Sequence, residues 1–304
     1  MFQLFLSIIS ITVAQPNSIV VNNTIVEMKA IQFATVPTVK TESVPLFMDV
    51  AFPSFEKDLL PAVIFVHGGS WKEGRRQDGA KAIDMFARGG YFAASIDYRL
   101  KKDAGFPAAV HDCKAAVRFL RKNAEELSID PTRIGIVGFS AGGHLAALVG
   151  LTEGDPLLEG KPTSKEVSAS VSCVASISGA LMPELARGHL KNIYEQWALA
   201  DRTIKKEETL PSTYVDSKDP PFYILCGDRD PLCPSKDAET FIKILRNASI
   251  EVELEIIEDE GHLIVNPHAY LGMLGFIDKH LGGRSRDVLY QSIQELGGLV
   301  GGGN

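Results

Sequence analysis

Gly138-Phe139-Ser140-Ala141-Gly142 is a G-x-S-x-G sequence, the spacing that places a serine hydroxyl on a sharp turn as a nucleophile. Five residues of this kind arise by chance in roughly one chain in ten of this length, so their surroundings decide. The apolar run Ile134–Val137 leads directly into the motif, and the small residues from Ala141 to Ala147 leave it as the start of a helix. A strand, a turn and a helix are what the motif needs, with glycines beside the serine leaving room for a close crossing. A second loop fits the same chemistry. His67-Gly68-Gly69-Ser70-Trp71 follows an apolar run ending at Val66. A glycine pair after a strand lets backbone N–H groups face a developing oxyanion, and the expected donors are Gly69 and Ser70 together with Ala141. Phosphate-loop and dinucleotide glycine spacings are absent here. His67 is expected to hold the loop, Trp71 either packs the loop or forms one wall of a substrate pocket, and Trp197 is a second candidate for that pocket.

A nucleophilic serine needs a base and an acid, which follow an elbow of this type in the order acid, then histidine. Cys226-Gly227-Asp228-Arg229-Asp230-Pro231 ends a buried apolar run, and Asp230, fixed by the proline after it, is the expected acid. Asp228 is the alternative, with capping of the turn as its ordinary role. Gly261-His262 follows the apolar run ending at Ile257, and His262 is the expected base. The nearest rival, His268, falls at the start of the last helix; His111, His189 and His280 lie in helical patterns. His144 stands on the helix behind the serine, where its ring is expected to point away from the hydroxyl.

These residues require a framework of strands whose ends converge. From about residue 60 onward, short apolar runs alternate with amphipathic segments, the pattern of a mostly parallel sheet with helices on both faces. Strands are predicted over 61–66, 91–96, 134–137, 171–177 and 222–226, with an edge strand over 251–257. An antiparallel pair over 24–33 and 44–52 should open the sheet. Helices are predicted over 107–125, from 141, over 235–247 and over 265–280, and Asp130-Pro131-Thr132 reads as a loop. About forty residues, 180–219, interrupt the alternation and are too many for a simple crossover. They are read as one or two helices forming a small cap over the site, which would make 15–281 one catalytic domain.

HGG-x-W at 67–71, Asp97-Tyr98-Arg99-Leu100 and the run 129–144 resemble secreted carboxylesterases, in particular the acetyl-xylan and feruloyl esterase-like branch of the α/β-hydrolases. The resemblance covers roughly 40–280. It implies an α/β-hydrolase fold, a triad of Ser140, Asp230 and His262, and no metal or organic cofactor. The implied substrate is a small-molecule or oligosaccharide ester, with acetyl or feruloyl groups of plant polysaccharide as one class. Hormone-sensitive-lipase-like relatives differ, carrying a third glycine where Ser70 stands and a larger N-terminal cap. Kynurenine formamidases and prenylcysteine methylesterases are similar around HGG-x-W, which keeps an amidase or formamidase as the alternative chemistry. A hydrolase-fold binding protein without catalysis is disfavoured by the intact Ser–Asp–His order.

Composition narrows partners and compartment. The 304 residues carry a formal charge of −7, which argues against a nucleic-acid partner. Residues 1–14, MFQLFLSIISITVA, read as a signal peptide with cleavage before Gln15, although no Lys or Arg precedes the apolar run. Secretion or periplasmic export is therefore expected, without stable membrane insertion. Cys113, Cys173, Cys226 and Cys233 match no zinc spacing. The first two read as buried thiols, and Cys226 and Cys233 either stay free or, if the protein is exported to an oxidising compartment, pair as a disulfide. Asn22-Asn23-Thr24 and Asn247-Ala248-Ser249 are glycosylation sequons. The glycine-rich residues 282–304 read as a loosely held tail around a short helix at 285–296.

Overall fold

A computed structural model describes residues 18–22, 25–41, 43–54, 58–160 and 167–282. The expected signal peptide and the tail helix lie outside these residues. Among the described residues nine strands form one sheet: β1 (Ser18–Asn22), β2 (Ile25–Val36), β3 (Val44–Pro53), β4 (Leu60–Val66), β5 (Phe92–Ile96), β6 (Ile129–Phe139), β7 (Cys173–Ile177), β8 (Phe222–Gly227) and β9 (Val252–Ile257). Their spatial order is β1-β2-β3-β5-β4-β6-β7-β8-β9. The strands from β1 through β3 to β5 pair antiparallel, and every pairing from β5 through β4 to β9 is parallel. The central parallel strands are buried on both faces, which is why they read as continuous apolar runs in the sequence.

Period-two alternation divides those runs between two cores. Ala62, Ile64 and Val66 of β4, with Phe222, Ile224 and Cys226 of β8, face one side. Val63 and Phe65, with Tyr223 and Leu225, face the other. The first side is covered by α2 (Ala108–Lys122), α3 (Ala141–Leu151) and α5 (Ser235–Asn247), and the second by α1 (Ala80–Arg88) and α6 (Leu271–Leu281). α4 (Gly188–Ala198) lies in the segment after β7. Helix α2 forms because Ala109, Cys113, Ala116, Val117 and Leu120 recur on one buried stripe.

Several expectations shift. Asp130-Pro131-Thr132 belongs to β6, but the ladder jumps there: Leu60 pairs with Ile129, and Ala62 with Ile134. Pro131 has no N–H to give the ladder, and Asp130 folds locally onto Thr132 and Arg133, so the strand bulges. The last helix begins at Leu271, later than expected, because Pro267–Tyr270 forms a tighter turn that Asn266 caps through the N–H of His268. Helix α1 and strand β1 were not anticipated. Residues 180–219 hold α4 and three short turns of 3-10 helix. All four cysteines are buried free thiols, so the Cys226–Cys233 disulfide does not form here. Asn247 of the second sequon is exposed at the end of α5. Among the described residues no helix is long and apolar enough to cross a membrane.

Candidate active site

Central strand β6 delivers Ser140 between its own C-terminal end and the N-terminus of α3. The serine sits at φ 54° and ψ −116°, a conformation that side chains rarely adopt. Its N–H is held by the Ile177 carbonyl of β7 at 2.9 Å. The crossing is tight enough that a Cβ at Gly142 would run into the Val66 carbonyl of β4. The strain is sustained because α3 is buried along its whole length.

Two loops from the next strand ends supply the partners. His262 Nδ1 lies 2.8 Å from Asp230 Oδ2, and His262 Nε2 lies 2.9 Å from Ser140 Oγ. An ionised carboxylate only accepts, so Nδ1–H donates to Asp230 and the bare Nε2 accepts from the serine hydroxyl. Asp230 is 4% exposed. Its other oxygen accepts from the N–H groups of Leu232 and Cys233 at 2.8 and 2.9 Å, which fixes the carboxylate against rotation. Asp228 is instead exposed in the same turn. The acid and base loops are stitched together: the N–H of Asp228 donates to Ile257, and that of Arg229 to Glu260. Glu260 also accepts from Val265 and Asn266, bracing the chain just past His262. Phe139 packs against the imidazole, ring centres 5.3 Å apart.

The glycine loop after β4 turns through three left-handed residues, Gly69 at φ 112°, Ser70 at 52° and Trp71 at 57°. A Cβ at Gly69 would collide with the Glu73 carbonyl, so no other residue fits that turn. The Gly69 carbonyl ties the loop by accepting from Lys72 and Glu73. Among the described residues the N–H groups of Gly69 and Ser70 have no acceptor, and Ala141, first residue of α3, has no intrahelical one. His67 serves as a strut. Its Nδ1–H donates to Gly68 at 2.7 Å, its ring stacks on Tyr98 at 4.2 Å, and burial pushes its pKa down. Tyr98 donates back to the His67 carbonyl, while Arg76 joins Asp49 to Asp97 behind the loop.

Trp71 and Trp197 do not line an open cavity. At 1% and 0% exposure, they stack on each other with centres 5.0 Å apart. His144 abuts the edge of this pair, and its Nε2–H donates to the Thr209 carbonyl at 3.0 Å. Burial holds the His144 pKa down to about 4. Segment 180–219 is thereby fastened to the elbow helix at His144 and to the glycine loop at Trp71. It starts against the nucleophile itself, where the Ala180 N–H approaches the Ser140 carbonyl at 3.4 Å.

The expected serine, acid and histidine are thus brought into one hydrogen-bonded line, and among the described residues the three expected N–H donors are left unengaged. The sequence reading did not identify Glu260, Thr209, Tyr98 or Phe139 as supports. Glu260 in its acidic turn, Phe139 inside the serine motif and Tyr98 in the run Asp97–Leu100 carried local signals, whereas Thr209 carried none.

A family model described as BD-FAE matches residues 48–245. The chain is 32% identical to the esterase LipC of Mycobacterium tuberculosis over 62% of this chain and 49% of the relative. It is 31% identical to the carboxylesterase NlhH of the same organism over 71% of this chain and 70% of the relative. The chain therefore spans about half the length of some curated relatives it matches. The propionate-bound structure of esterase Est2 from Thermogutta terrifontis superposes with a TM-score of 0.68 at 25% identity, covering 82% of this chain and 92% of that one.

Proposed function

The chain belongs to the BD-FAE family of α/β-hydrolases, and we propose that it is a carboxylesterase working through an acyl-enzyme on Ser140. The observation that carries this reading is the continuous Ser140–His262–Asp230 line, at 2.9 and 2.8 Å. His262 Nε2 takes the Ser140 proton as Oγ attacks the ester carbonyl. Negative charge develops on the carbonyl oxygen, where the N–H groups of Gly69, Ser70 and Ala141 stabilise it. Asp230 keeps Nδ1 protonated and stabilises the imidazolium. His262 then protonates the departing alcohol, and the same imidazole activates water to release the acid.

The proposed substrates are esters of short or aromatic acids, including acetyl or feruloyl groups on plant polysaccharide. Exposed Leu232 and Leu263, beside Asp230 and His262, offer an apolar margin suited to an acyl group. Est2 binds propionate, in keeping with a short acyl chain. Export is part of the same proposal, resting on the apolar residues 1–14; secreted protein should begin at Gln15. A series of p-nitrophenyl esters, acetylated xylan and methyl ferulate, run beside anilides and N-formyl amines, tests the reading. Ester turnover that falls as the acyl chain lengthens is expected. Preference for the amides would overturn it.

A further inference from the structure

Cys233 has a side chain that the proposed reaction does not use, yet it stands close to the base, His262, and to Asp230, which orients it. One ligand atom each from Asp230, Cys233 and His262 lies within 4.8 Å of the others. We propose that these three residues form a binding site for a thiophilic divalent cation of the zinc type, and that its occupation switches the esterase off.

The donor set is a thiol sulfur, an imidazole nitrogen and a carboxylate oxygen, a combination that suits zinc with three protein ligands and one open position. With bonds of about 2.3 Å to sulfur and about 2.0 Å to nitrogen or oxygen, tetrahedral ligands stand roughly 3.2–3.8 Å apart. A span of 4.8 Å therefore needs side-chain shifts on the order of 1 Å. Asp230 and Cys233 belong to one turn, in which the Cys233 N–H donates to Asp230 Oδ1 at 2.9 Å. Asp230 and Cys233 are buried, whereas the His262 side chain is 17% exposed and gives the ion its way in.

Binding breaks the relay in a defined way. The Cys233 thiol gives up its proton to solvent and forms a sulfur–metal bond. His262 binds through Nδ1, so its single ring proton moves from Nδ1 to Nε2. Asp230 exchanges the Nδ1–H hydrogen bond for a metal bond, and one proton is released per ion. With Nε2 protonated, the imidazole no longer accepts the Ser140 proton. Metal binding stands on the three side chains alone; the loss of turnover rests on the esterase reading.

Two readouts separate these parts. Cobalt(II) titrated into metal-free protein should produce a thiolate-to-cobalt charge-transfer absorption at one ion per chain, in wild type and in Ser140→Ala alike. Cys233→Ser and Cys233→Ala should lose that absorption while keeping the wild-type near-ultraviolet circular dichroism. Zinc should inhibit hydrolysis of p-nitrophenyl acetate by wild type. In both Cys233 variants, each scaled to its own metal-free rate, the half-inhibiting concentration should rise by at least the roughly 10–100-fold that loss of an outer partner costs a metal site. An absorption that survives in the Cys233 variants, its absence from wild type, or equal zinc sensitivity in all three proteins would each overturn the site. Absorption in a protein with no ester turnover would leave the site standing and count against the esterase reading.

Discussion

Acidification should destabilise the fold through His144. The imidazole is enclosed by Trp71, Tyr194 and Trp197, and its one hydrogen bond among the described residues is to the Thr209 carbonyl. Burial lowers its pKa from the ordinary 6.5 to about 4. An unfolded chain takes up this proton as pH falls through 6.5, while the folded chain resists until about 4. Over that interval the unfolded state binds more protons, so stability present above pH 6.5 is lost as pH falls towards 4. At about 1.4 kcal/mol for each tenfold change in proton affinity, the loss is about 3 kcal/mol. His144→Gln keeps a donor for Thr209 and does not titrate. Urea unfolding of both proteins between pH 7.5 and pH 4 separates this histidine from His67, which shifts the same way, and from the carboxylates, because those act equally in each. The wild-type stability should fall relative to the variant by about 3 kcal/mol, with most of the difference developing below 6.5. Parallel curves would refute the reasoning and mean that His144 finds solvent or a counter-charge.

Asp230→Asn should lower kcat for p-nitrophenyl acetate by about 10³- to 10⁴-fold, since Nδ1 would lose the acceptor that fixes its tautomer. Asp228→Asn, in the exposed part of the turn, should stay within a few-fold of wild type, and a reversed order would transfer the acid role to Asp228. Trp197→Ala should cost about 3–5 kcal/mol in urea unfolding, because it empties the stack between the glycine loop and segment 180–219. The same change should lower kcat/KM by releasing Trp71. A stability loss below about 1 kcal/mol would mean that the stack does not brace the loop.

The parallel sheet was legible because buried strands leave continuous apolar runs and their helices leave amphipathic ones. The elbow could be read because Gly142 and Gly69 occupy positions where a Cβ collides with backbone. Other features have no local signature. Helix α1 carries Ala82, Ile83 and Phe86 on one buried face, but it is only nine residues long and follows a loop rich in charge. The bulge in β6 reads as a loop because its residues, Asp130 to Thr132, are turn formers lodged in a longer strand. The two tryptophans invited a pocket reading because aromatic residues near a catalytic loop suit either role. Only the fold brings position 71 onto position 197 and closes both to solvent. The contact between His144 and Thr209, 65 residues apart, is likewise tertiary and leaves no trace in either sequence neighbourhood.

The proposed mechanism passes through an acyl group carried by Ser140. The most direct measurement is mass spectrometry of protein mixed with excess p-nitrophenyl acetate, quenched in acid during the first turnovers and digested. One added acetyl group is expected on the peptide containing Ser140, absent from Ser140→Ala, which should also lack turnover. Acetylation of another residue, or hydrolysis that continues in Ser140→Ala at the wild-type rate, would contradict it.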